Sequence, residues 1–269
     1  MIEVNGIRLS YTISGKGEIP LVLVHGSWVS RQNWDLVVPQ LENSFRVLAY
    51  DRRGHGDSER PGGQGSILED VADLAALIEN LGLAPAWVAG NSLGGSITLR
   101  LAGDRPELLR GITVHEPPLF SLIEDDPNLA PLAEKDAKTD AKAAELIASG
   151  DHAGAAEYFI EANAPGMWTQ SPPEFRKIMI DNAPSFLDDA NDPDLATFEL
   201  EWIRGFPAPA LLTLGDQSPP QFAPVISKLA EALPTADIST FRGAGHAPHM
   251  SHPDAYVEAI TSFVRQHTT

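Results

Sequence analysis

The sequence predicts an α/β protein: a mostly parallel sheet with helices on both faces, interrupted by a helical insertion. Three observations carry that reading. Short apolar runs alternate with longer amphipathic stretches as far as Val114. Between Pro117 and Pro207 the strand signals vanish, and Ala-, Asp- and Glu-rich segments take their place. After Pro207 the alternation resumes.

Taken in order, Ile7 to Ile13 alternates apolar and polar residues, as a half-exposed strand should. Leu21 to Val24 is a short apolar run closed by His25-Gly26, which fits a strand buried on both faces. The polar, Trp-containing segment from Ser30 to Glu42 reads as a helix, and Phe45 to Tyr50 as the next strand. Leu68, Val71, Leu74, Ala75, Leu77, Ile78 and Leu81 give the three-and-four spacing of an amphipathic helix, stopped by Gly82. Ala86 to Ala89 reads as a strand, Leu93 to Gly103 as a helix and Gly111 to Val114 as a strand. In the insertion, helices are expected at 136–149, 153–162, 173–180 and 195–203. The chain then closes with a strand at Ala210 to Leu214, a helix at Gln221 to Leu233, a strand at Asp237 to Phe241 and a helix at Pro253 to Gln266. The simplest division is one core, 1–117 and 207–269, split by an inserted helical cap, 118–206, since long excursions of this kind are usually functional.

Composition narrows the function. A chain of 269 residues is long enough to bury a sizeable core. It has no Cys, which removes disulfides, thiolate metal sites and a Cys nucleophile together. The net charge of −18 leaves no basic footprint for phosphates, so neither nucleic acid nor an anionic membrane is expected as a partner. No apolar run approaches the ~18 residues that span a bilayer, and Met1 to Gly6 reads as strand and turn rather than a targeting segment. A cytoplasmic protein is expected; oligomeric state is left open.

The chemistry sits at strand ends. Gly90-Asn91-Ser92-Leu93-Gly94 falls between a predicted strand and helix. A Gly-x-Ser-x-Gly turn there forces the serine into a strained backbone and stands its hydroxyl at the sheet edge, beside a helix N-terminus. Alone the pentapeptide is weak, because at ~7% usage for Gly and Ser it would arise by chance in about one such chain in ten. Its placement raises its value. His25-Gly26-Ser27-Trp28 follows an earlier buried strand and offers backbone N–H groups at the same edge, and Gly243-Ala244-Gly245-His246 follows the last strand.

These motifs, with Asp51-Arg52-Arg53-Gly54-His55-Gly56-Asp57-Ser58, resemble those of α/β-hydrolase-fold proteins over essentially the whole chain. The resemblance implies an eight-stranded sheet, a Ser–acid–His triad with Ser92 as nucleophile and His246 as base, and often a helical cap. It also implies an oxyanion hole, here from the N–H groups of Ser27 and Leu93. The acid is less direct. The usual family position, three residues beyond Gly215, holds Ser218; Asp216 lies two residues early. Glu116 directly follows the sixth strand, at the same sheet edge, and its extra methylene suits the longer reach. Some relatives, among them haloalkane dehalogenases and certain lactone hydrolases, place a Glu there. Glu116 is favoured, with Asp216 as the alternative.

Other residues are weighed against plainer roles. His55, Asp51 and Asp57 are expected to organise their loop. His246, His249 and His252 recur every three residues, but Pro248 and Pro253 argue against one helix presenting them, so no metal is expected. Acidic faces of the insertion read as solvated. Trp28, Met167, Trp168 and Trp202 are the candidates for substrate contact. The function expected is a cofactor-free serine esterase or lactonase acting on a small apolar ester or lactone. Hydrolysis of a carbon–carbon bond in ring-cleavage products is the alternative, although Ser27-Trp28-Val29-Ser30 replaces the Gly-Pro-Gly-rich loop of those relatives. A non-catalytic ligand receptor is the third.

Overall fold

The computed structural model describes residues 1–268. Its strands are β1 (Ile2–Val4), β2 (Ile7–Leu9), β3 (Tyr11–Ser14), β4 (Ile19–Val24), β5 (Phe45–Tyr50), β6 (Ala86–Asn91), β7 (Leu109–His115), β8 (Ala210–Gly215) and β9 (Asp237–Phe241). The helices are α1 (Val38–Leu41), α2 (Ile67–Asn80), α3 (Leu93–Asp104), α4 (Ala130–Ala148), α5 (His152–Asn163), α6 (Met167–Gln170), α7 (Pro173–Asn191), α8 (Phe222–Ala232), α9 (Pro248–Ser251) and α10 (Pro253–Gln266). None among the described residues is long and apolar enough to cross a membrane.

Apolar residues one apart on each strand part to opposite faces and so build two cores. Val22, Val24, Val88, Ile112, Val114 and Leu212 face one way, against α2, α3 and α8. Leu21, Leu23, Val47, Ala89 and Leu211 face the other way, against α1 and α10. The sheet order is β3-β5-β4-β6-β7-β8-β9, parallel except for β3. It therefore has seven strands rather than the eight expected. The stretch expected as one strand from Ile7 to Ile13 breaks at Ser10, whose N–H is taken by Ser58 Oγ (2.8 Å) and whose carbonyl accepts from Asp51 N (2.9 Å). The residues before the break fold back as the separate hairpin β1–β2.

Helix bounds differ where tertiary contacts outweigh local pattern. α2 starts at a Ser66–Glu69 capping box, which rotates the apolar stripe onto Ile67 and leaves Leu68 51% exposed. The segment from Ser30 to Glu42 forms a short 3-10 turn (Arg31–Trp34) and the single turn α1. α7 runs through Pro184, far beyond the expected stop. A proline inside a helix costs about 3 kcal/mol, but here Ser185 Oγ bonds the Gly54 carbonyl (2.6 Å) and Phe186 packs on Trp28. The helix expected at 195–203 is absent apart from a 3-10 turn at Leu200–Trp202. Arg100 occupies the carbonyls of Asp194 and Leu195 that a helix would need.

α4, α5, α6 and α7 share an apolar cluster of their own, comprising Ala143, Ile147, Ala155, Ala156, Trp168, Met179, Ala183 and Phe186. Trp28, from the loop after β4, is part of it, so this loop and the insertion pack as one unit.

Candidate active site

Three neighbouring parallel strands end at one edge, and just past each end a non-glycine residue takes up positive φ: Trp28 after β4 (68°), Ser92 after β6 (56°) and Glu116 after β7 (44°). Such backbone is costly for an L side chain, and its clustering marks a functional edge. Ser92 precedes α3 with ψ −128°, so it is not yet helical. Leu93 opens the helix, where N–H groups lack intrahelical partners. The glycines admit close passage. A Cβ on Gly94 would run into the Val24 carbonyl, and one on Gly26 would lie 2.9 Å from Ser92 Cβ, so the Ser27 loop crosses directly over the serine.

Glu116 is fully buried, and both its oxygens are used. Oε1 accepts from Gly215 N at 2.7 Å, and Oε2 lies 2.7 Å from His246 Nδ1. Burial alone would raise its pKa, but the His246 hydrogen bond, the adjoining His115 and His246 rings and the Ser218 hydroxyl outweigh it and hold the carboxyl below the usual range. Ser218, at the usual family acid position, thus lies beside the Glu116 carboxylate. Asp216 turns away; its Oδ1 accepts from Gly243 N (2.7 Å) and from Gln217 Nε2 (3.1 Å).

His246 is placed by contacts the sequence did not announce. Asn91, directly ahead of Ser92, donates from Nδ2 to the His246 carbonyl at 3.0 Å. Phe222 stacks on the imidazole with centroids 4.7 Å apart and planes 18° apart. His115 is buried beside Glu116, its Nε2 3.6 Å from Oε2 and its Nδ1 3.0 Å from Thr213 Oγ1. Burial pushes its pKa down to about 3, against the opposing pull of Glu116, so it is neutral. His115, Glu116 and His246 each offer a ligand atom within 4.8 Å of the others, making this the one such grouping among the described residues. His249 lies elsewhere, against Asn33 (2.7 Å) and the Trp34 ring, and His252 contacts Ser251.

The Ser27 hydroxyl is held by Asp189 of α7 at 2.8 Å, and Asp189 also accepts from the buried Arg52 at 3.0 Å. Arg52 in turn pairs with Asp70 at 2.6 Å. This chain joins the insertion to the loop over Ser92. The neighbouring loop is organised as expected: Asp51 pairs with Arg31 and accepts from Asp57 N at 3.0 Å, while His55 Nδ1 contacts the Arg53 carbonyl at 2.9 Å.

Candidates for substrate contact fare unequally. Trp28 is buried, stacked on Phe186 with centroids 4.4 Å apart and tilted on Phe159 at 5.1 Å. Trp168 lies within the insertion's core under Arg176, whereas Met167 beside it is 48% exposed. Trp202 is a correction. It packs on Gly103 at the far end of α3 and under Arg100, about 16 Å along the helix from Ser92, and so stands away from the site. Long-range docking decides that, and no local signal could have.

A family model described as alpha/beta hydrolase family matches residues 21–259. The chain is 36% identical over 113 residues to the dihydrolipoyllysine-residue acetyltransferase component of the acetoin cleaving system of Pseudomonas putida, covering 42% of this chain and only 30% of that protein. It is 26% identical over 275 residues to pimeloyl-(acyl-carrier protein) methyl ester esterase of Yersinia pseudotuberculosis, covering 96% of this chain and 98% of that protein. The fold is shared with the enol-lactonase from Burkholderia xenovorans LB400 at a TM-score of 0.79 and 21% identity, over 97% of this chain and 98% of that one. Because the matching model runs through both sheet halves and the insertion between them, the chain belongs to the alpha/beta hydrolase family.

Proposed function

We propose that this protein is a serine hydrolase of carboxylic esters or lactones that needs no cofactor. The observation that carries the reading is the buried Glu116 carboxylate 2.7 Å from His246 Nδ1, held at the same sheet edge as the strained Ser92. Ionised Glu116 accepts a hydrogen bond from His246 Nδ1–H, which leaves the Nε2 lone pair to take the Ser92 proton as the hydroxyl attacks the ester carbonyl. The N–H groups of Ser27 and Leu93 donate to the oxyanion that develops, usually the largest electrostatic contribution in such sites. His246 then returns the proton to the leaving alcohol, and water repeats the cycle to free the acid. A serine nucleophile forms an acyl ester, so dehalogenase and epoxide-hydrolase chemistry, which use a carboxylate, are disfavoured.

In this reading residues 118–206 act as the cap, and Trp28 with Phe159 and Phe186 forms the apolar wall on the acyl side. The relatives named as an ester esterase and an enol-lactonase support the reaction class. Turnover of a panel of aryl esters and lactones by the wild type and by Ser92→Ala tests it. The expected result is ester or lactone turnover that Ser92→Ala loses while its melting temperature holds; a folded Ser92→Ala that keeps turnover contradicts it.

A further inference from the structure

His115 and Glu116 are neighbours in sequence whose side chains meet in space. In a regular strand consecutive side chains leave opposite faces, so the last residue of β7 and the one after it would part. Glu116 instead takes up positive φ (44°), and its Oε2 comes back to 3.6 Å from His115 Nε2. Both side chains are fully buried, and Nε2 has no hydrogen-bond partner among the described residues. A ring nitrogen buried and left open in this way calls for an explanation, and the carboxylate it faces is the proposed triad acid.

The other side of the ring bears on the tautomer. Nδ1 lies 3.0 Å from Oγ1 of Thr213, the residue paired with His115 across β7 and β8. The Thr213 hydroxyl has a single proton to give, with His115 Nδ1 at 3.0 Å and the Val114 carbonyl at 3.3 Å as acceptors. If the proton goes to Val114, Nδ1 carries the ring hydrogen and the Nε2 lone pair is left facing a carboxylate. If it goes to Nδ1, the ring hydrogen is on Nε2, towards Glu116 Oε2, and the Gly245 carbonyl also faces the ring as an acceptor. The second arrangement replaces a buried repulsion by an attraction. Burial keeps the ring neutral, so it offers a dipole and no second cation to oppose the imidazolium of His246. The separation of 3.6 Å exceeds a hydrogen bond, but in a buried site an N–H dipole still acts on a carboxylate at that range.

We propose that His115 is a positioning residue for the triad acid: its Nε2–H turns its positive end to Glu116 Oε2 and fixes the ionised carboxylate in line with His246 Nδ1. This rests on the serine-hydrolase reading and deepens it. Because the same ring faces the carbonyl of Gly245, one residue before His246, it steadies both the acid and the loop that carries the base.

The test separates the two ring nitrogens, because the amide nitrogen of Gln can take the place of Nε2 and that of Asn the place of Nδ1. On p-nitrophenyl acetate His115→Gln is expected to keep kcat within about threefold of wild type, whereas His115→Asn and His115→Phe lose about tenfold or more, with KM within about threefold throughout. A packing role alone would spare Phe, which fills the space of the ring, and would treat Gln and Asn alike. A folded Asn or Phe variant at wild-type kcat, or a folded Gln variant that falls as far as Asn, overturns the proposal. The wild type supplies a reading that needs no variant. Two-bond ¹H–¹⁵N correlation spectra of its imidazoles are expected to show His115 as the neutral Nε2–H tautomer between about pH 6 and pH 8. The Nδ1–H tautomer, or a protonated ring, overturns the proposal whatever the kinetics. If the wild type turns over no aryl ester or lactone, the hydrolase reading fails, and the tautomer alone decides where the N–H lies.

Discussion

Replacing Glu116 by Gln keeps the shape of the side chain and removes its charge, at the point where the proposed mechanism needs that charge most. In the structure Oε1 is committed to the Gly215 N–H (2.7 Å), so the amide of the variant keeps its oxygen there and turns its NH₂ towards His246 Nδ1. An NH₂ cannot accept a hydrogen bond from Nδ1–H. The imidazole must then carry its proton on Nε2, where it has no lone pair for the Ser92 hydroxyl. The imidazolium that forms during attack also loses its counter-charge. For charge centres ~3.5 Å apart at an effective dielectric constant of ~20, that interaction is about 5 kcal/mol, and each ~1.4 kcal/mol is tenfold in rate. We expect kcat for an aryl ester to fall by about 10³ to 10⁴, with KM changed by less than about threefold, while Asp216→Ala stays within about threefold of wild type. Stopped-flow or steady-state release of p-nitrophenol on the two variants, each checked for its melting temperature, measures this. A folded Glu116→Gln within tenfold of wild type, or a collapse in Asp216→Ala instead, refutes the assignment of the acid.

Two further predictions follow from single contacts. Asp140, held near pH 7 in the fold against 3.8 for a free side chain, binds more protons folded than unfolded between those values, so its burial costs nothing below pH 3 and increasingly more as pH rises. Asp140→Asn is therefore expected to stabilise the protein, by about 2 kcal/mol more at pH 8 than at pH 5 in urea unfolding; an equal effect at both pH values contradicts that burial. Asn91→Ala removes the bond to the His246 carbonyl (3.0 Å) and is expected to lower kcat about tenfold with the melting temperature within a few degrees; unchanged kcat shows that the imidazole is positioned without it.

Much of this was legible because it is local. Leu21 to Val24 and Ala86 to Ala89 announce buried strands by their apolar runs, and Gly90 to Gly94 announces the turn, since each property belongs to a few consecutive residues. Glu116 was legible by a longer argument, in which Ser218 vacates the usual position and Glu supplies reach; the 2.7 Å contact with His246 has the geometry that argument asks for. What stayed hidden depends on how the insertion docks. The acidic periodicity of α4 looks like a solvated face, yet Asp136 is buried and Asp140 half-buried, because the other faces of that helix carry the lysine–glutamate pairs. Pro184 reads as a helix stop until Ser185 and Phe186 find Gly54 and Trp28. Trp202 looks like a pocket residue until Gly103 and Arg100 are seen to hold it.

The central claim is that the Ser92 hydroxyl attacks the carbonyl and carries the acyl group. The most direct measurement is covalent labelling with a fluorophosphonate, followed by peptide mass spectrometry and residual activity on the same sample. The account predicts one adduct per chain, on the peptide carrying Ser92, with activity lost in step with labelling and no adduct in Ser92→Ala. Full activity after exposure with Ser92 unmodified, or an adduct on another residue that accounts for the loss, would contradict it.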